Sequence, residues 1–180
     1  NEKIEKTHLL GVSLGAVLVQ DFANHHPEMV KSLACFGGYY INNFDTKLQK
    51  GNSMAQMSMM LKAIFSIKWF AGANKKISAY TAGAQDEFYA MNIEFPKKSF
   101  MHLASLNNMV NKHKPKTRHY PLLIGCGKHD VPMELTALKM WSDSEPNCEV
   151  VIFKGAGHCV NMDVSHEFNI AIEKFWSTMT

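Results

Sequence analysis

Residues 7–12, Thr-His-Leu-Leu-Gly-Val, form a short apolar run that stops at Ser13-Leu14-Gly15, after which Leu14, Val17, Leu18 and Phe22 recur at helical spacing. The hydrophobic period changes from strand to helix within three residues, so the chain must turn sharply there. The helix is predicted to end near Asn24-His25-His26, because the residue before Pro27 is driven out of the α region. Residues 30–38, Val-Lys-Ser-Leu-Ala-Cys-Phe-Gly-Gly, then read as a second buried strand. A strand, a helix and a strand in that order make a right-handed crossover between parallel neighbours.

From residue 42 to about 115 the strand-like alternation disappears. Three amphipathic stretches replace it. The first is marked by Met57, Met60, Leu61, Ile64 and Phe65, the second by Ile77, Tyr80, Ala84, Phe88 and Met91, and the third by Phe100, Leu103, Leu106 and Val110. Residues 120–127 then return to a strand and 132–142 to a helix with Pro132 in its first turn. A further strand is predicted over 148–154 and a last helix over 164–178, with Phe168, Ile172, Phe175 and Trp176 on its inner face. The alternation predicts an α/β sandwich with a parallel sheet. It divides into a first sheet part (1–41), a helical insertion (42–115) and a second sheet part (116–180).

Composition narrows the class of partner. The 19 Lys and Arg against 16 Asp and Glu leave a net charge of +3, and Arg118 is the one arginine. Nucleic acid is an unsuitable partner for such a chain, because phosphate recognition favours dense basic stripes and bidentate Arg. No run of eighteen apolar residues is present to span a membrane. Cys35, Cys126, Cys148 and Cys159 show neither CxxC pairing nor zinc-type spacing. They predict free, mostly buried thiols in a reducing, cytoplasmic compartment. No signal peptide is visible, although the chain begins at Asn1 and export directed by an upstream segment stays open.

Gly11-Val12-Ser13-Leu14-Gly15 is a G-x-S-x-G sequence lying directly after a strand and directly before a helix. Glycines are expected on both sides of the serine because a strained turn brings backbone close, where a Cβ would clash. A serine hydroxyl is a poor nucleophile at neutral pH and needs a base, which in turn needs an orienting group. Asp130 follows the strand at 122–126 and His158 follows the strand at 149–154, both at the carboxyl edge where open α/β sheets place their ligands. The chain order Ser13, Asp130, His158 is that of a serine triad on such a sheet.

These segments resemble the α/β-hydrolase-fold serine hydrolases. Gly11 to Gly15 is similar to their nucleophile elbow, Pro121-Leu-Leu-Ile-Gly-Cys-Gly-Lys-His-Asp130 to their acid-bearing strand and loop, and Gly157-His158-Cys-Val-Asn-Met-Asp163 to their histidine loop. The resemblance implies hydrolysis of a small or medium carboxylic ester or related acyl compound through an acyl-enzyme, without a cofactor or metal. Ser13 would be nucleophile, His158 base and Asp130 the orienting acid, with the Leu14 N–H as one oxyanion donor. The insertion corresponds to the family's variable cap, in which Met57, Met60, Phe65, Trp69 and Phe70 are candidates for an apolar substrate pocket. One departure stands out: the fold has about eight strands, and four are readable here. The chain is accordingly expected to be the carboxyl-terminal portion of a longer hydrolase. The preceding strands would carry the second oxyanion donor, and the missing portion or a second copy would be a partner.

Plainer uses compete for the same residues. Ser13 suits a helix N-cap, Asp130 a cap on the helix starting at Pro132, and Asp163 is a rival carboxylate. His129 and His166 read as solvated neighbours, and residues 112–119 as a solvated basic linker. A lyase, thioesterase or aminopeptidase of the same fold, or a non-catalytic binding fragment, remain the alternative functions.

Overall fold

A computed structural model describes residues 3–43, 53–96, 99 and 118–179. Strand β1 (Thr7–Val12) leads into helix α1 (Leu14–His25), and a 3-10 turn (Pro27–Met29) leads into β2 (Val30–Phe36). Among the described residues three helices follow before the next strand: α2 (Ser53–Phe65), α3 (Ile67–Ser78) and α4 (Ala82–Glu94). The sheet resumes with β3 (Leu122–Gly127), α5 (Pro132–Ser144) and β4 (Glu149–Phe153), and the chain closes with a short turn α6 (Val160–Asp163) and helix α7 (Ser165–Ser177).

Among the described residues the sheet has four strands in the order β1-β2-β3-β4, every pair parallel. Its two faces are read from the alternation in β2. Leu33 and Cys35 point to the side where Ala16 and Ala23 of α1 and Leu138 and Trp141 of α5 are buried. Ala34 and Phe36 point to the other, against Phe168, Ile172 and Phe175 of α7. Because both faces are covered, β2 and β3 are near-continuous apolar runs. Phe36, with no exposed surface, packs edge-on against Phe168 at 4.9 Å between ring centroids. Trp176, placed on the inner face by its spacing, is half-buried beside His8, with 5.4 Å between ring centroids.

The second amphipathic stretch was expected as one helix and is two. Ile77 lies near the end of α3, Ala84, Phe88 and Met91 lie in α4, and the chain breaks at residues 79–81. Thr81 caps α4 by accepting from the Ala84 N–H, an interruption that a 3.6-residue count slides over. Phe100, Leu103, Leu106 and Val110 lie outside the described residues. No helix among the described residues is long and apolar enough to cross a membrane.

Candidate active site

The turn between β1 and α1 is built by close approach. A Cβ on Gly11 would stand 2.3 Å from the Gly15 carbonyl oxygen and 2.6 Å from the Ala16 N, so β1 and the first turn of α1 meet backbone to backbone. Ser13 sits at the apex with φ 54°, the one non-glycine residue of positive φ among the described residues. Such a conformation costs on the order of 1–3 kcal/mol for a residue with a side chain and persists where its surroundings enforce it. Here the Ser13 N–H donates to the Phe36 carbonyl at 2.8 Å and the Ala16 N–H donates to the Ser13 carbonyl at 2.9 Å. One expectation is corrected: a Cβ on Gly15 would meet nothing within 4 Å, so close approach demands glycine at position 11 and not at 15.

Ser13 stands at the N-cap position of α1, yet its side chain makes no capping bond. Its Oγ lies 2.7 Å from His158 Nε2. The other ring nitrogen, Nδ1, lies 3.1 and 3.2 Å from the two carboxylate oxygens of Asp130. A carboxylate accepts, so Nδ1 carries the proton and Nε2 accepts from the serine hydroxyl. Asp130 also accepts from the Val131 N–H at 2.7 Å, and Val131 rather than Asp130 is the N-cap residue of α5. Residues 13, 130 and 158 therefore meet at the carboxyl ends of β1, β3 and β4.

The rival carboxylate is committed elsewhere. Asp163 accepts from Tyr80 N–H, Thr81 N–H, Thr81 Oγ1 and Gly157 N–H, and does not reach the imidazole. His129 and His166 are exposed, and the His129 ring stacks on Tyr80 with 3.8 Å between centroids. Leu14 opens α1, so its N–H is one of the first-turn donors that the helix itself leaves unpaired. Of the apolar pocket candidates, Phe65 and Trp69 are 74% and 57% exposed, and Lys62 Nζ lies 5.6 Å from the centre of the Trp69 ring. Phe70 is half-buried, and the side chains of Met57 and Met60 lie outside the described ones.

Two site features carried no signal in the spacing. Gly37, read as strand, has φ 56° and passes close to the imidazole: a Cβ there would stand 3.2 Å from the His158 ring. Close approach to an imidazole is a tertiary fact, and Gly37-Gly38 was its one trace in the sequence. The other is Glu134, in the first turn of α5, which is 7% exposed and whose Oε2 has no hydrogen-bond partner among the described residues.

The electrostatics of the site are set by burial working against paired charge. Burial pulls the His158 pKa down, but the hydrogen bond and charge of Asp130, with the charge of Glu134 behind them, outweigh it and the net shift is upward. Burial raises the Glu134 pKa; the positive charge of His158 opposes this and the charge of Asp130 adds to it. Neighbouring thiols are no rivals to the serine. Burial, with help from nearby carboxylates, pushes Cys159 up to about 11 and Cys126 up to about 12, so neither is a thiolate at neutral pH. The cysteines among the described residues are free, as their spacing predicts.

No family model matches the chain. It is similar to an uncharacterized carboxylesterase of Bacillus subtilis, with 23% identity in an alignment that covers all of this chain and 60% of that protein. Among solved structures it is similar to a malate-bound thermophilic esterase from Thermogutta terrifontis. There the TM-score is 0.76 at 14% identity, covering 97% of this chain and 66% of that one. A carboxylesterase structure from the thaumarchaeon Nitrososphaera gargenis gives a TM-score of 0.73 at 18% identity, covering 98% and 66%. The chain thus spans under two thirds of the length of these relatives. With its parallel sheet, its serine on the turn between β1 and α1, and these structural likenesses, the chain has the α/β-hydrolase fold.

Proposed function

We propose that this chain carries the catalytic groups of a serine hydrolase that cleaves small or medium carboxylic esters through an acyl-enzyme. The observation that carries the reading is the hydrogen-bonded series from Ser13 Oγ through His158 to Asp130, hung on a serine held at positive φ. The carboxylesterase and esterase names of the similar proteins favour an ester as the bond attacked.

Ser13 Oγ adds to the ester carbonyl as His158 Nε2 takes the hydroxyl proton. Asp130 holds the imidazole in the tautomer that leaves Nε2 free to accept, and its charge stabilises the imidazolium that forms. The carbonyl oxygen becomes an oxyanion at the amino end of α1, where the Leu14 N–H donates to it and the helix dipole favours negative charge. Collapse of the adduct breaks the bond to the alcohol oxygen, which leaves with the proton from His158. Water then adds to the acyl group on Ser13 as His158 takes a proton from it, and the carboxylic acid departs with Ser13 restored. These steps run on side chains and water, with no metal or organic cofactor. Residues 42–115 serve as a cap, and Met57, Met60, Phe65, Trp69 and Phe70 offer the apolar surface for a small-molecule acyl or alcohol group.

A fluorophosphonate probe tests the reading directly. The wild-type chain should be labelled on Ser13 and should turn over p-nitrophenyl esters, and Ser13→Ala should do neither. Folded full-length wild-type protein that is neither labelled nor active overturns the proposal.

A further inference from the structure

The corner between α3 and α4 is fastened to the loop that carries His158. Gly157 and Cys159, the residues on either side of the imidazole, both donate backbone hydrogen bonds: Gly157 N–H to Asp163 Oδ2 at 2.8 Å and Cys159 N–H to the Ser78 carbonyl at 2.7 Å. Ser78 is the last residue of α3. Asp163 in turn accepts from the far side of the same corner, from Tyr80 N–H at 3.0 Å, Thr81 N–H at 2.7 Å and Thr81 Oγ1 at 2.9 Å. Loop and corner approach so closely that a Cβ on Gly157 would stand 3.2 Å from Tyr80 N. The Tyr80 ring, stacked on His129, ties the corner to the acid-bearing loop as well.

We infer that Asp163 is a positioning residue, a carboxylate strut that fixes the His158 loop to the α3–α4 corner so that the imidazole is aimed at Ser13 through the inserted helices. A carboxylate suits the task because both of its oxygens accept and every facing group donates. Each segment it joins is a loop of few residues that would otherwise satisfy its N–H groups in water. The hydroxyl of Thr81 has a second duty, accepting from the Ala84 N–H to start α4. The strut thus makes the start of an inserted helix and the aim of the base one structural unit.

The test is Asp163→Asn in the full chain. Tyr80 N–H is 3.0 Å from both oxygens, so whichever way the amide turns its NH2 faces that donor together with either the Thr81 groups or the Gly157 N–H, and one side loses its acceptor. Since the kinetic arm rests on the ester-hydrolase reading, the strut is also read independently of turnover, by the downfield Nδ1–H proton signal of His158, assigned by its loss in His158→Gln. The variant should keep wild-type far-UV dichroism, lower kcat on p-nitrophenyl acetate by about tenfold or more with KM within about twofold, and show faster solvent exchange at the His158 proton. Thr81→Val should move kcat and exchange the same way by less, and Thr81→Ser, which keeps the hydroxyl, should restore both. A folded Asp163→Asn variant with wild-type kcat and an unchanged proton signal overturns the proposal. If that variant fails to fold, a Thr81→Val variant indistinguishable from wild type overturns it. A wild-type chain without turnover sinks the ester reading, while the proton signal still decides the strut.

Discussion

The paired substitutions Gly11→Ala and Gly15→Ala put the same methyl group on the two glycines flanking the serine turn, and the structure assigns them opposite signs. At Gly11 the new Cβ would stand 2.3 Å from the Gly15 oxygen and 2.4 Å from its carbon, both backbone atoms with no rotamer to escape into. Reaching even 3.0 Å requires the first turn of α1 to move off β1 by about 0.7 Å. Overpacking of this kind costs about 1–3 kcal/mol, and the backbone-to-backbone contact places this case at the upper end. The displaced turn carries Ser13, whose Oγ is 2.7 Å from His158 Nε2, so fluorophosphonate labelling should fall with stability, by about 10–100-fold. At Gly15 the Cβ enters open space in the first turn of a helix, and the loss of unfolded-state freedom should stabilise the chain by about 0.4–1 kcal/mol. Labelling there should stay within about twofold of wild type. Urea denaturation followed by tryptophan fluorescence gives the stabilities, and timed probe labelling, with Ser13→Ala as blank, gives the reactivity. Equal stability for the two variants, or a Gly11→Ala chain labelled at the wild-type rate, would refute the account of the turn.

Two expectations concern protons. The base must be neutral and its pKa lies above the ordinary 6.5, so the labelling rate should climb with pH through a midpoint above that value. Asp130→Asn removes the raising influence and leaves burial dominant, so the midpoint should move down and the plateau should drop about 10²–10⁴-fold; an unmoved midpoint would show that Asp130 does not act on the imidazole. His158 and Glu134 both hold protons more tightly in the folded chain than in the unfolded one. Their stabilising contribution is therefore complete below their unfolded pKa values and is lost as pH rises through the folded ones. Glu134→Gln deletes the carboxylate part of that loss, so in urea melts its stability should decline less than that of wild type as pH rises above 4.5. At pH 8 the variant should be the more stable by about 1 kcal/mol, and parallel pH profiles would count against a buried carboxylate whose Oε2 has no hydrogen-bond partner among the described residues.

Much of the fold is legible in local pattern because each strand and helix buries a face whose period is written in its own residues. The run at 7–12, the proline after α1 and the apolar blocks at 30–36 and 122–127 each signal an element from its own few residues. The second inserted stretch misleads for the same reason: Ile77, Tyr80 and Ala84 keep a helical count across a break made by Thr81 and held by Asp163, which is 82 residues further on. Local periodicity carries no record of a hydrogen bond to a distant carboxylate.

The candidate site divides along the same line. Residue types, flanking glycines and chain order single out Ser13, Asp130 and His158, since a serine nucleophile needs a base and an orienting acid and a parallel sheet presents such groups at one edge. The sequence by itself picks out those candidates and the parallel topology. Tertiary structure decides the rest: that Gly11 rather than Gly15 is sterically required, that Gly37 clears space beside the imidazole, and that Asp163 braces a loop while Asp130 meets the base. Composition and period are properties of neighbours in the chain, whereas contact and burial belong to residues that become neighbours when the sheet forms.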